Sequence, residues 1–339
     1  MRLIALLLAA VLTLRPQANP PQELSAEMDR IRAEAAAATP DDQRAAPAGR
    51  LERARAALDA GRPLLALYLF EMPWENAKAW TFVKSSSAVT TPEAFANKWT
   101  AMGEPRAALP RPQRGGRRPA LVDAMAAAAE ARGATTYHAS LAYGEDSGLT
   151  GGLYYLGESH AVMQFAAMAR SLSWPPSGAA VALRSISAEL TALDTEMTTA
   201  YETMDRSHHS SYIVASAALK QARILDDRGQ YGGALFQYLL SRYIFAPLRG
   251  PSVQDATPAR IAEARASMPE GADHSIAELF LQLADEGVSG DVPAQRRGAA
   301  AALDDVLPAY RAAIAPPTST AAAAATAQVT VTLVRWPFT

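Results

Sequence analysis

Four uninterrupted alanine runs, Ala35–Ala38, Ala126–Ala129, Ala299–Ala302 and Ala321–Ala325, constrain what this chain can fold into more than any other feature. Alanine favours helix strongly, yet each alanine buries little surface. A fold built on such segments must therefore gain its packing from backbones that approach closely, which points to helices crossing at short range. The length of 339 residues allows one large domain or two ordinary ones, each with its own core. A hydrophobic share of 49% against 19% charged residues is that of a chain that collapses and folds.

The charge balance, 32 Lys plus Arg against 34 Asp plus Glu, disfavours generic nucleic-acid binding. The chain has no cysteine, which excludes disulfides, thiolate zinc sites, iron–sulfur clusters and cysteine nucleophiles. At the N-terminus, Arg2 precedes the uncharged run Leu3–Leu14, the pattern of a secretory signal peptide ending near Ala18 and too short for a membrane span. Residues 1–18 are expected to direct export to the periplasm or the medium. No later stretch of 18 continuous apolar residues follows, so no integral membrane body is expected.

Punctuation by proline and glycine divides the remainder. Residues 19–49 read as a flexible lead-in broken by Pro40, Pro47 and Gly49, and 50–105 as an N-terminal helical segment. In that segment Leu51–Ala60 and Leu64–Glu71 form a helix pair around Gly61, AWTFVKSSSAV reads as a short strand, and Thr91 caps a helix with Pro92 in its first turn. Residues 106–119, RAALPRPQRGGRRP, form a connector whose Arg106, Arg111, Arg114, Arg117 and Arg118 suit an anionic partner such as lipid headgroups or lipopolysaccharide. The main helical domain spans 120–315. Within it, Leu121–Ala131 is a helix, ATTYHASLAYGEDSGLTGG a turn-rich loop, and a long helix begins near Leu153 and stops at Trp174, Pro175 and Pro176. Gly178–Met204 is helix-compatible, and Pro308 is expected to shorten or kink the last helix. Residues 316–339 read as a low-complexity and extended tail ending in the strand VTVTLVRWPF.

One passage, ALKQARILDDRGQYGGALFQYLLSRYIF, orders Ala218, Leu219, Leu225, Gly229, Tyr231, Ala234 and Leu235 as packing residue, turn glycine, aromatic and small crossing residue. Leu58, Gly61, Ala66 and Leu67 give a shorter version, and Leu156 and Gly157 supply the leucine–glycine pair of another. In these passages, about a third of the chain, the sequence resembles the tetratricopeptide-repeat and related helical-repeat proteins. The resemblance implies an all-α fold of irregular, antiparallel helix pairs with a concave binding surface. Asp226, Asp227 and Arg228 read as a solvated helix end.

Two regions concentrate chemistry. In EMTTAYETMDRSHHSS, Glu202, Asp205, His208 and His209 share a helical face if the helix runs on through Ser207, and carboxylate with imidazole is a ligand set for a divalent metal. The chain lacks HExxH and the paired Glu-x-x-His motifs of di-iron bundles, and no other cofactor is expected. The second region holds Tyr143, Glu145, Asp146, Tyr154, Tyr155, Glu158 and His160, with Tyr137 and His138 upstream. Tyrosines there offer rigid amphipathic contact area beside carboxylates, the composition of a peptide- or glycan-binding groove.

GxGxxG, Walker A and GxSxG motifs are absent. The leading expectation is an exported, non-enzymatic protein-interaction or assembly scaffold with a polypeptide partner. The alternatives are a periplasmic or extracellular enzyme acting on a polymer or small ligand, with or without a metal, and a structural subunit.

Overall fold

The computed structural model describes residues 20–106, 117–146, 148–249, 255–290 and 293–314. The expected signal segment 1–18, connector residues 107–116 with Arg111 and Arg114, and the tail 316–339 with its terminal strand lie outside the described residues. The described chain is all-α; its one β feature is an isolated bridge between Ala179 and Ala272. No described helix is long and apolar enough to cross a membrane.

The first helices are α1 (Pro20–Ala38), α2 (Asp41–Asp59) and α3 (Pro63–Ser85). Helix α1 and the first half of α2 stand where the sequence reading expects a flexible lead-in over 19–49. Leu24, Met28 and Ile31 recur at helical spacing and are fully buried, so the segment is a packed helix rather than a tether. Pro47 lies inside α2 past its first turn, where its ring forgoes the N–H that would bond the Gln43 carbonyl, and it is itself buried in the packing of the helix. The segment AWTFVKSSSAV is likewise corrected from strand to the C-terminal part of α3 and the turn after it. Its aromatic and β-branched residues suit a strand locally, but α3 is held on three sides by α1, α2 and α6 (Leu149–Ser171), and tertiary packing overrides that preference.

Helix α4 (Pro92–Met102) begins as expected, with Thr91 Oγ1 accepting from the Ala94 N–H at 3.2 Å. Helix α5 (Ala120–Asp146) then runs straight through the expected loop ATTYHASLAYGED and pairs antiparallel with α6. The small residues that look like turn signals permit this approach. A Cβ on Gly152 would lie 2.7 Å from the Gly144 Cα, one on Gly133 would lie 2.9 Å from the Ser159 carbonyl oxygen, and one on Gly157 would lie 2.8 Å from the Phe82 Cβ. Trp74 locks α3 onto α6, donating from Nε1 to the Ala161 carbonyl at 3.1 Å and meeting Phe70 and Phe165 edge to face.

The C-terminal elements are α7 (Ser187–Tyr201), α8 (His209–Asp227), α9 (Tyr231–Phe245), α10 (Pro258–Ala266), α11 (Ser275–Ser289), α12 (Pro293–Ala301) and α13 (Leu307–Ile314). Gly229 joins α8 to α9 at φ +70°, a left-handed conformation that glycine adopts without penalty. Ala234 is buried where α9 crosses its neighbours α8 and α5. Asp226 is corrected from solvated helix end to buried anchor: its carboxylate accepts from Ser185 Oγ at 2.6 Å and the Ile186 N–H at 3.0 Å. Those bonds tie down residues 178–186, which are irregular where helix was expected. The expected break at Pro308 becomes a π-helical turn, Ala302–Val306, that carries α12 into α13 just ahead of the proline. Across the molecule, Arg53 of α2 holds Glu286 of α11 with two bonds of 2.8 Å.

Adding one methyl at the tightest crossing tests this architecture. Gly152→Ala should lower the melting temperature, by the roughly 1–3 kcal/mol of an overpacked core, while the helical circular dichroism signal persists. An unchanged melting temperature would mean that α5 and α6 are not in contact there.

Candidate functional site

The face of α6 that carries Tyr154, Tyr155 and Glu158 lies between α3 and α5, and side chains from all three helices meet there. Tyr143 of α5 stacks on Tyr155 with ring centroids 3.9 Å apart, and is itself 40% exposed. Tyr155 meets Tyr154 edge to face at 5.6 Å, and Tyr154 packs on Trp80 of α3 at 5.2 Å. The Asn76 side-chain amide donates to the Tyr154 hydroxyl at 3.1 Å. These contacts make a continuous aromatic strip whose rings hold one another in place.

Charged groups continue the strip along the same helices. Arg132 of α5 donates to Glu71 Oε1 at 2.8 Å and to Glu75, both on α3. Burial pushes the Glu75 carboxyl well above its ordinary range; the Arg132 guanidinium opposes this, while Glu71 and Glu158 add to it. Glu158 is raised as well, by burial and against the pull of Arg132. Burial would lower the Arg132 value, but the surrounding Glu75, Glu71 and Glu158 more than offset it. The Tyr154 phenol is pushed up to about 12 by burial and then by Glu158, and Tyr155 is raised by burial, Tyr143 and Glu158. A buried carboxyl, Glu75, and a partly buried one, Glu158, that resist ionisation beside fixed aromatic faces are a composition suited to binding.

Of the residues singled out in the sequence, Tyr143, Tyr154, Tyr155 and Glu158 are brought together. Glu145 and Asp146 end α5 as helical residues, and their side chains lie outside the described residues. His160 belongs elsewhere: it faces a cleft of about 760 Å³ shared with Met102, Glu104, Arg106 and Met163, and burial lowers its proton affinity. Tyr137 and Trp99 stack at 4.4 Å, each bonding to the other's carbonyl at 3.0 Å, and so fasten α4 across the α5–α6 hairpin.

The expected metal ligands Glu202, Asp205, His208 and His209 are not brought to one helical face. Helix α7 ends at Tyr201, and all four side chains are exposed. Asp205 instead accepts from the Ser207 N–H at 2.7 Å to cap a single 3₁₀ turn, Arg206–His208, and His209 Nδ1 lies 3.1 Å from the Tyr201 hydroxyl. Among the described residues no three His, Asp or Glu side chains converge as a group able to hold a metal ion. Within the basic connector, Arg118 is engaged internally, donating to the Arg170 carbonyl at 2.6 Å, while Arg106 and Arg117 are exposed.

Glu71, Glu75, Asn76, Trp80 and Arg132 were not singled out by the sequence reading. Their signal was present in FEMPWENAKAW, where Glu71 and Glu75 sit one turn apart around the apolar Met72, Pro73 and Trp74. Ending that helix at Glu71 and reading a strand from Ala79 hid the register that places Trp80 beside them.

The chain matches no family model, no curated protein and no solved structure.

The raised Glu75 value has a signed consequence. A carboxyl whose folded value exceeds its unfolded value contributes stability below the ordinary 4.5 and loses it as pH rises through the folded value. Glu75→Gln lacks that loss, so its melting temperature relative to the parent protein should increase between about pH 5 and about pH 8. Scanning calorimetry at both pH values measures this, and a relative melting temperature that falls over that interval contradicts the raised proton affinity of the buried Glu75.

Proposed function

We propose that this protein is an exported, non-enzymatic interaction scaffold, acting in the periplasm or the medium, that receives a polypeptide along the Tyr143–Tyr155–Tyr154 strip. The observation that carries this reading is the exposed Tyr143 ring stacked on Tyr155 and continued inward by Tyr154 and Trp80. Tyrosine supplies large contact area with two side-chain torsions to restrain, and here those torsions are already restrained by ring packing. Three helices carry the strip, so it is preformed and little ordering cost remains at binding. Helix pairs stacked side by side are also the supports that the helical-repeat resemblance implies for such a surface.

One observation favours the enzyme alternative, the pair of raised carboxyls at Glu75 and Glu158 beside an aromatic surface. A glycosidase acting on a polymer uses two carboxyl groups in distinct protonation states. Hydrolysis of a glycan polymer that disappears in Glu158→Gln would select that alternative over the scaffold.

The scaffold reading is tested by selecting decapeptides from a random display library on the full chain and measuring their affinities by calorimetry. Tyr155→Ala should weaken the selected peptides about tenfold or more, near 1.4 kcal/mol. Failure to select any peptide, or equal affinity for Tyr155→Ala and the parent, would overturn it.

A further inference from the structure

The strip holds more acidic than basic side chains. Three carboxylates, Glu71, Glu75 and Glu158, lie within electrostatic reach of one shared guanidinium, Arg132. Arg132 gives its hydrogen bonds to Glu71 and Glu75. Glu158 is left with no hydrogen bond or ion pair among the described residues, although its carboxyl is largely withdrawn from water. Other cations near α3 are engaged elsewhere. Arg50 donates to the Leu69 carbonyl at 3.2 Å and lies over the Tyr68 ring, and Lys78 pairs with Glu34 at 2.8 Å.

Glu158 has aromatic neighbours on its own helix. Tyr154 and Tyr155 lie four and three residues before Glu158 on α6, so their Cβ atoms are about 5–6 Å from that of Glu158 on the same helical face. An aromatic face next to a carboxylate is complementary to an ammonium or guanidinium group, through cation–π attraction on one side and a charge-assisted hydrogen bond on the other. An anion entering this strip would meet three acidic side chains against one guanidinium. A neutral group would add no positive charge beside Glu158, which shares Arg132 with Glu71 and Glu75.

We infer that the polypeptide bound by this strip is recognised through a lysine or arginine side chain, whose cationic head docks between the Tyr154–Tyr155 edge and Glu158. This rests on the scaffold reading and adds the chemistry of the partner to it. Arg132 holds Glu71 and Glu75 in position and screens part of their charge, so that Glu158 is the carboxylate left to meet the incoming cation.

The experiment uses the full chain and the decapeptides selected on it. Each is resynthesised with every lysine replaced by acetyl-lysine and every arginine by citrulline, which keep size and remove charge. Neutralising one side chain of a selected peptide should weaken binding to the parent protein at least tenfold. On Glu158→Gln the same neutralisation should change affinity less than about threefold, because the two changes act through one contact. If the neutral peptides bind the parent as tightly as the charged ones while Tyr155→Ala still weakens both, the cation site is refuted and the scaffold reading stands. If no peptide is selected at all, the scaffold reading fails and takes this inference with it. A thermal melt of Glu158→Gln run alongside shows whether it folds. If it does not, the comparison of charged and neutral peptides on the parent protein decides.

Discussion

The close approach of α5 and α6 is the constraint on which the rest of this molecule depends. At Gly133, Gly144 and Gly152 the two backbones come near enough that a single added Cβ would press into the opposing helix or the Phe95 ring packed on it. The alanines of α5 do the same less severely, with Ala126 and Ala129 buried against Val162, Met163 and Ala166. Such a seam gains dispersion contacts and excludes water through backbone proximity rather than large side chains. It leaves the outer faces of the hairpin free to pack elsewhere: α6 onto α3 through Trp74 and Phe165, and α5 onto α9 through Gly233 and Ala127.

The candidate binding strip is a product of that seam. Tyr143 and Tyr155 stack because α5 and α6 are held close at this end of the hairpin, and α4 keeps it closed by seating Phe95 against Gly144 and Gly152. The same geometry draws Arg132 and Glu158 toward Glu71 and Glu75 of α3, and Glu75 is buried there. Rigid aromatics and incompletely compensated carboxyls thus have one structural origin.

Much of the helical character could be read from the chain. Thr91 with Pro92 is a helix start in sequence and in structure, and Thr257 with Pro258 repeats the arrangement at the start of α10, each threonine accepting from the residue three positions on. Tyr143, Tyr154, Tyr155 and Glu158 were recognisable as a group because the region is dense in amphipathic side chains. The misreadings share a cause. Small and polar residues in ATTYHASLAYGED and TPDDQRAAPAGR look like loop chemistry in isolation, but in the fold they are contact points of helices. Glu202, Asp205, His208 and His209 fail to converge because α7 stops one residue before Glu202, and a backbone-capping bond then claims Asp205.

Composition and local pattern determined that the described body of this chain is helical, that cysteine chemistry is closed to it, and where several helices begin, since propensity, capping and proline geometry act within a few residues. Which helices meet was decided only in three dimensions. The pairing of Glu75 with Arg132 spans 57 positions and that of Arg53 with Glu286 spans 233, and no local rule carries information over such separations. Burial, and with it the altered proton affinity of Glu75 and Glu158, exists only once three helices enclose those groups. The tertiary structure therefore converted residues that were unremarkable in the sequence into the charged floor of the strip.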